Sequence, residues 1–271
     1  MIITDCHVHS SFSSDSSTPP EVMIQKAIQL GFTDFYLTDH MDYDFPVTPD
    51  GLDFQFSPEE YFETLFRLQT KYADRIKIRT GIELGLKPTA SVKNKIDTLL
   101  SKYRFDLIIG STHLVNNRDP YDTSFWKGHS IEECLHQYFE QIVKNLQSFH
   151  SFQTLGHLDY AIRYAPKGSP AFSYFDYSSI IDEILFLLLE HNIALEVNTA
   201  GYKYGNEQPN PSSPIIKRYL SLGGKYLTIG SDAHLGEYYA YGFNKVRHLL
   251  QSLGVTQYTV FIQGKPVFFP L

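Results

Sequence analysis

IITDCHVHSSFSSD, residues 2–15, is the stretch on which the reading of this chain turns. A short apolar run leads straight into Asp5, His7 and His9, and Asp15 follows a few residues on. Groups with high desolvation costs directly behind a buried strand are either a solvated strand end or a metal site. Period-2 alternation puts Asp5, His7 and His9 on one face of the strand and Cys6 and Val8 on the other. Two imidazoles at i and i+2 can chelate one ion, so Cys6 reads as a buried packing thiol. The stretch alone leaves the two readings open.

The same arrangement recurs along the chain. Apolar runs at 2–6, 32–38, 76–83, 105–111, 152–156, 193–197 and 225–231 alternate with segments of helical periodicity. Helix starts are signalled by Thr18-Pro19-Pro20-Glu21, by Ser57-Pro58-Glu59-Glu60 and by Ser130 ahead of IEECLHQYFEQIVKNL. A further helix, Pro214 to Leu222, ends at Gly223-Gly224, a plausible C-cap. Seven strands alternating with helices predict a parallel sheet, either open and doubly wound or closed into a barrel.

The residues at the carboxyl end of each run favour the barrel. His7 and His9 come after the first, His40 after the second, Glu83 ends the third, and His113 and His157 come after the fourth and fifth. Glu196 and Asn198 belong to the sixth, and Asp232 and His234 come after the seventh, with small Ala233 between them. A barrel gathers all seven strand ends on one face, where βα loops build active sites; an open sheet spreads them out. The expected fold is a parallel βα barrel, one domain over residues 1–271, with a metal site at the carboxyl ends of the strands.

Composition narrows the function. The chain has 271 residues, 42% hydrophobic and 20% charged, and no repeat or linker that would divide it. A net charge of −7 argues against a phosphate-neutralising nucleic-acid surface, so no nucleic-acid partner is expected. The most apolar stretch, 180–197, is interrupted by Asp182, Glu183, Glu190 and His191, too polar to span a membrane. Met1 is followed by strand-like residues without a basic leader region, and two cysteines make no disulfide framework, so a cytoplasmic protein is expected. The oligomeric state is left open.

The candidate ligands are His7, His9, Asp15, His40, Glu83, His113, His157, Asp232 and His234, all imidazole and carboxylate. Such a set suits Zn, Mn or Fe(II) and does not suit a thiolate-bound structural zinc. Nine donors exceed one ion with open positions, so two to three divalent ions are expected, with Glu83 as a bridge. Clustered cations bind phosphate oxygens and activate water, which makes hydrolysis the natural reaction class.

DCHVHSSFSSD, LTDH, TGIE, GSTH, GH and GSDAH, in that order, resemble the PHP (polymerase and histidinol phosphatase) superfamily, from the first residues to about Leu235. The resemblance implies a distorted (β/α)7 barrel with a trinuclear centre. It implies that His7, His9, Glu83 and Asp232 hold one ion, that Glu83, His113 and His157 hold a second, and that Asp15, His40 and His234 hold a third. Asp15 stands where many members have histidine, and Asp5 is expected to orient a ligand histidine. The chain length, the insertion MDYDFPVTPDGLDFQFSPEEYF after LTDH, and LEVNTAG with its polar Gly/Pro-rich loop resemble the stand-alone histidinol-phosphate phosphatases. The implied reaction is hydrolysis of L-histidinol phosphate, a step of histidine biosynthesis, by in-line attack of a metal-bridging hydroxide. Asp232 or His234 would manage the leaving-group proton. The alternatives are another small phosphomonoester or, as a nuclease, a phosphodiester.

Substrate contacts are expected from Arg163, six residues after His157, and from Asn198 beside Glu196. The loop 115–130 adds Trp126 and Lys127, as a ring-binding wall or as a loop anchor. Asp42 and Asp44 are candidate partners for a cationic substrate. His136, His150, His191 and His248 fall in helical or loop patterns and read as non-ligands.

Overall fold

The computed structural model describes residues 2–48, 50–203 and 207–271. Residues 204–206 of the Gly/Pro-rich loop after LEVNTAG lie outside them. The helices are α1 (Pro20–Gln29), α2 (Pro58–Lys71), α3 (Ala90–Lys102), α4 (Ile131–Ser148), α5 (Ser178–Glu190), α6 (Ala200–Lys203), α7 (Ser213–Ser221) and α8 (Phe243–Ser252). The strands are β1 (Asp34–Leu37), β2 (His40–Met41), β3 (Lys77–Gly85), β4 (Leu107–Ser111), β5 (Thr154–Leu155), β6 (Ala194–Asn198), β7 (Leu227–Gly230), β8 (Gln257–Ile262) and β9 (Lys265–Pro270).

Local chemistry sets the helix ends. Ser57 Oγ accepts from the Glu60 amide at the start of α2, and Ser130 and Glu133 form a reciprocal capping box at the start of α4. At the end of α7 the Gly224 amide bonds back to the Tyr219 carbonyl, with Gly223 at φ 93, so the glycine pair serves as the left-handed cap.

The strands β1, β3, β4, β5, β6 and β7 pair in that order, all parallel, and β2 pairs beside β1 on β3. The expected first strand is not a regular ladder strand. Residues 2–9 nevertheless bridge the sheet's two edges. Thr33 and Asp34 amides reach the Ile3 carbonyl and the Thr38 amide reaches Val8, while the Cys6 amide reaches Ile229 and the Asp232 amide reaches His7. Side chains take the place of main-chain partners here. Val8 N–H donates to Thr38 Oγ1 at 2.8 Å and His7 N–H to Asp5 Oδ1 at 3.2 Å, which breaks the regular pattern without opening the ring. The result is the distorted barrel.

The second expected strand, 32–38, forms as β1, and the two-residue β2 lies just beyond it. β2 sets His40 in register with Glu83. Glycine permits two further close approaches. A Cβ on Gly230 would strike His7 Cβ, and one on Gly156 would strike Ser111 Oγ. The antiparallel hairpin β8–β9, joined by Gln263 and Gly264 with positive φ, was not foreseen from sequence. It is tied to the barrel by Tyr36 Oη donating to the Phe261 carbonyl.

Helix faces carry the outer core. Met23, Ile24, Leu65, Ile142, Ile181, Leu185, Ile216 and Val246 are buried in one apolar cluster with strand residues such as Phe35 and Ile82. Each such side chain contributes about 1.5–3 kcal/mol by leaving water. No described helix is long and apolar enough to cross a membrane.

Candidate metal centre

Five imidazoles converge on one carboxylate. Glu83 Oε2 lies 3.3 Å from His7 Nε2, 3.5 Å from His9 Nε2 and 2.8 Å from His40 Nδ1. Its Oε1 lies 3.3 Å from His113 Nε2 and 3.0 Å from His157 Nε2, and also accepts from Ser111 Oγ at 2.6 Å. Asp232 Oδ1 stands 3.4 Å from His9 Nε2. Asp232 itself holds φ 55, a conformation an Asp tolerates and that turns its carboxylate inward. Asp15 Oδ2 lies 3.1 Å from His234 Nε2 and 3.7 Å from His40 Nε2. All nine expected donors therefore meet on one face.

The outward ring nitrogens fix how these histidines are used. His7 Nδ1 faces Glu196 Oε1 at 2.6 Å and His113 Nδ1 faces Asp42 Oδ2 at 2.6 Å. A carboxylate only accepts, so both rings donate from Nδ1. His9 Nδ1 meets Ser13 Oγ at 3.0 Å, and that hydroxyl already donates to Asp39 Oδ1 at 2.7 Å, so His9 too donates from Nδ1. His234 Nδ1 donates to the Asp232 carbonyl at 3.0 Å. In each neutral ring Nε2 is then a lone pair aimed at carboxylate oxygen.

Lone pairs facing lone pairs need a cation between them. His7 Nε2, His9 Nε2, His40 Nδ1 and Glu83 Oε2 are buried without a hydrogen-bond partner, the 2.8 Å His40–Glu83 approach being off the hydrogen-bond line. Two ligand atoms each about 2.1 Å from one ion sit roughly 3.0–3.4 Å apart, the spacing seen here. The residues present fit divalent ions. Without them protons compensate. Burial opposes charge on His7, but Glu196, Glu83 and Asp232 hold its basicity well above the ordinary imidazole value. Burial likewise opposes charge on His40, yet Glu83 and Asp15 push it up to about 9. Burial favours a neutral Glu83, and the surrounding histidines overcome it and hold the carboxyl well below the usual range.

Several supporting residues have other roles than expected. Asp5 does not orient an imidazole. Its oxygens accept from the His7, Ser231 and Ala240 amides and from Ser231 Oγ, and so fasten main chain. Glu196 orients His7 and accepts from the His157 amide at 2.7 Å. Asn198 is fully buried, donating towards Glu196 and Asp232 and accepting from the Ala200 amide, so it braces the carboxylates instead of facing substrate. Asp42 orients His113, and Asp44 pairs with Lys95 at the surface. Asp39, passed over in LTDH, clamps the 10–13 turn through the Ser10 and Ser13 amides and hydroxyls. Its place in LTDH beside His40 was the available signal, but only the fold shows which turn it clamps.

Arg163 is half-buried in the short 3-10 turn Tyr160–Tyr164 with its side chain largely enclosed, its Nη2 3.8 Å from Asp232 Oδ2 and its guanidinium 4.4 Å from the Tyr160 ring centroid. Trp126 is a loop anchor: it is buried, with its indole N–H donating to the Pro120 carbonyl at 2.8 Å. Lys127 is exposed. Sequence reasoning missed the wall beside the cluster, where Tyr160 packs 5.7 Å from His113 and donates towards Asp119 Oδ1 at 3.3 Å. Burial raises the Asp119 carboxyl above its usual range. His136 pairs with Glu140, and His150 stacks on His191.

Residues 5–200 match the family model described as PHP domain. The chain belongs to this family. It is 32% identical over 258 residues to the histidinol-phosphatase of Lactococcus lactis subsp. lactis, covering 95% of this chain and 93% of that one. It is 31% identical to a Clostridium acetobutylicum protein named probable histidinol-phosphatase, covering 99% and 97%. The crystal structure of the Lactococcus lactis histidinol phosphate phosphatase, complexed with zinc, L-histidinol and phosphate, superposes with a TM-score of 0.89 at 30% identity, over 97% of this chain and 98% of that one.

Proposed function

We propose that this chain hydrolyses L-histidinol phosphate to L-histidinol and phosphate with the help of two to three divalent ions, Zn, Mn or Fe. The observation that carries the reading is the convergence of five imidazoles on Glu83, in a chain so similar over its length to an enzyme solved with zinc, L-histidinol and phosphate. His7, His9, Glu83 and Asp232 would hold one ion, Glu83, His113 and His157 a second, and Asp15, His40 and His234 a third. When bound, such ions polarise phosphoryl oxygens and make water a stronger nucleophile at neutral pH.

The chain's own groups do the rest. Arg163, set over the Tyr160 ring, presents a guanidinium suited to bidentate capture of phosphoryl oxygens. Asp119 and the Tyr160–Tyr164 wall offer an acid and aromatic faces to the cationic, heterocyclic end of the substrate. Asp232 or His234, whose ring is partly accessible, would give the departing alkoxide its proton as the P–O bond breaks. Phosphate release from histidinol phosphate tests the reading, beside sugar phosphates, nucleotides and single-stranded DNA. Activity that survives complete metal removal, or that is greater on the other esters, would overturn it.

A further inference from the structure

The three donor sets are not built alike. The side chains of His7, His9 and Glu83 are 0% accessible, whereas His40 is 11%, His234 22% and Asp15 32% accessible. The support behind them is graded in the same direction. His7 and His113 each have a carboxylate at 2.6 Å on the nitrogen turned away from the cluster. His234 has only the Asp232 main-chain carbonyl at 3.0 Å, and both ring nitrogens of His40 face carboxylates of the cluster itself. Asp15 sits in the 11–18 turn, which is tied to the His234 carbonyl by the Ser16 and Thr18 hydroxyls.

From this gradient we infer that the Asp15–His40–His234 position is an exchangeable ion site, in equilibrium with divalent ions in the medium, while the positions around Glu83 keep theirs. The inference rests on the reading that the cluster holds metal ions, and not on which ester is hydrolysed. A carboxylate behind a ligand imidazole is worth about 10–100-fold in metal affinity. Each inner set includes an imidazole with such a partner outside the cluster, whereas the carboxylate behind His40 Nδ1 is Glu83, already committed to the inner positions. Exposure weakens it further, because water competes for the ion and screens its attraction to Asp15. Occupancy of the outer position, and with it activity, would follow the free divalent ion concentration over a range in which the inner ions stay bound.

Equilibrating the fully loaded protein against zinc buffers of decreasing free zinc, and measuring bound metal by mass spectrometry, tests this without an activity assay. The expected curve loses one equivalent at a free-zinc concentration at least tenfold higher than the rest. Asp15→Asn should remove that first step and leave the second in place. Glu196→Gln, which alters the carboxylate behind His7, should move the second step to higher free zinc and leave the first unchanged. Loss of all equivalents in one step by the wild-type protein overturns the inference, as does an Asp15→Asn protein, folded by circular dichroism, that binds no metal. Two-step loss in a protein inactive on histidinol phosphate would sink the proposed reaction and leave the exchangeable site standing.

Discussion

Glu196→Gln separates a positioning role from a structural one. Glu196 accepts from three donors: His7 Nδ1 at 2.6 Å, the His157 amide at 2.7 Å and Asn198 Nδ2 at 3.2 Å. Glutamine keeps the shape but replaces one acceptor oxygen with a donor. If its NH2 faces the His157 amide, two buried N–H groups oppose one another, at a cost of about 1–3 kcal/mol for the donor left unpaired. If it faces His7, the ring must accept at Nδ1 and carry its proton on Nε2, the nitrogen aimed at Glu83 Oε2. That tautomer cannot bind an ion, and restoring the other brings back the donor clash. Metal binding therefore loses about 1–3 kcal/mol, roughly 5–150-fold in affinity. Competition with a chromophoric chelator measures it, with Asp44→Asn as the control, since Asp44 pairs with Lys95 at the surface. Affinity within twofold of wild type in Glu196→Gln would refute the tautomer argument.

Other consequences stem from the same geometry. In the metal-free protein His40 is basic up to about 9, with His7 raised as well, so ions must displace protons at neutral pH. Calorimetry in buffers of different ionisation enthalpy should show proton release on zinc binding, and apparent affinity should rise with pH up to about 9. The same raised values stabilise the apo fold fully below the free imidazole value, about 6.5, and that contribution fades as pH rises towards 9. Apo melting temperature should accordingly fall over that range. Arg163→Lys should lower kcat/KM about 10–100-fold at unchanged metal content, because an ammonium cannot make the bidentate contact; unchanged kcat/KM removes Arg163 from phosphate capture. Gly230→Ala should cost about 1–3 kcal/mol by forcing His7 away from β7. Thermal unfolding checks it, and an unshifted midpoint would show that the backbone relaxes freely there.

The set of side chains that the fold gathers on one face was legible in the sequence because it rides on strand periodicity. An apolar run of four to eight residues followed by His, Glu or Asp states both where the strand ends and what it presents, and seven such runs imply one shared face. The alternation within 5–9 also sorted Cys6 into packing correctly, and it is buried with a free thiol. What the sequence misjudged were the acids and amides one layer further out. Asp42 was a candidate for touching substrate and Asp5 for orienting a histidine because each lies two residues from an expected ligand, and Asn198 because it ends the sixth run beside Glu196.

Sequence by itself determined the βα alternation, the face on which the candidate donors emerge and their residue types, since all three depend on spacing along one segment. Tertiary structure decided the rest. The Glu196–His7 and Asp42–His113 contacts join residues 189 and 71 positions apart. The closure by residues 2–9 uses Thr38 and Asp5 side chains where a regular ladder would use main chain. A carboxylate's role is set by the donor its oxygens meet, and those donors come from other strands. Which nitrogen of each histidine is left to bind an ion is therefore a property of the closed barrel, and no local pattern carries it.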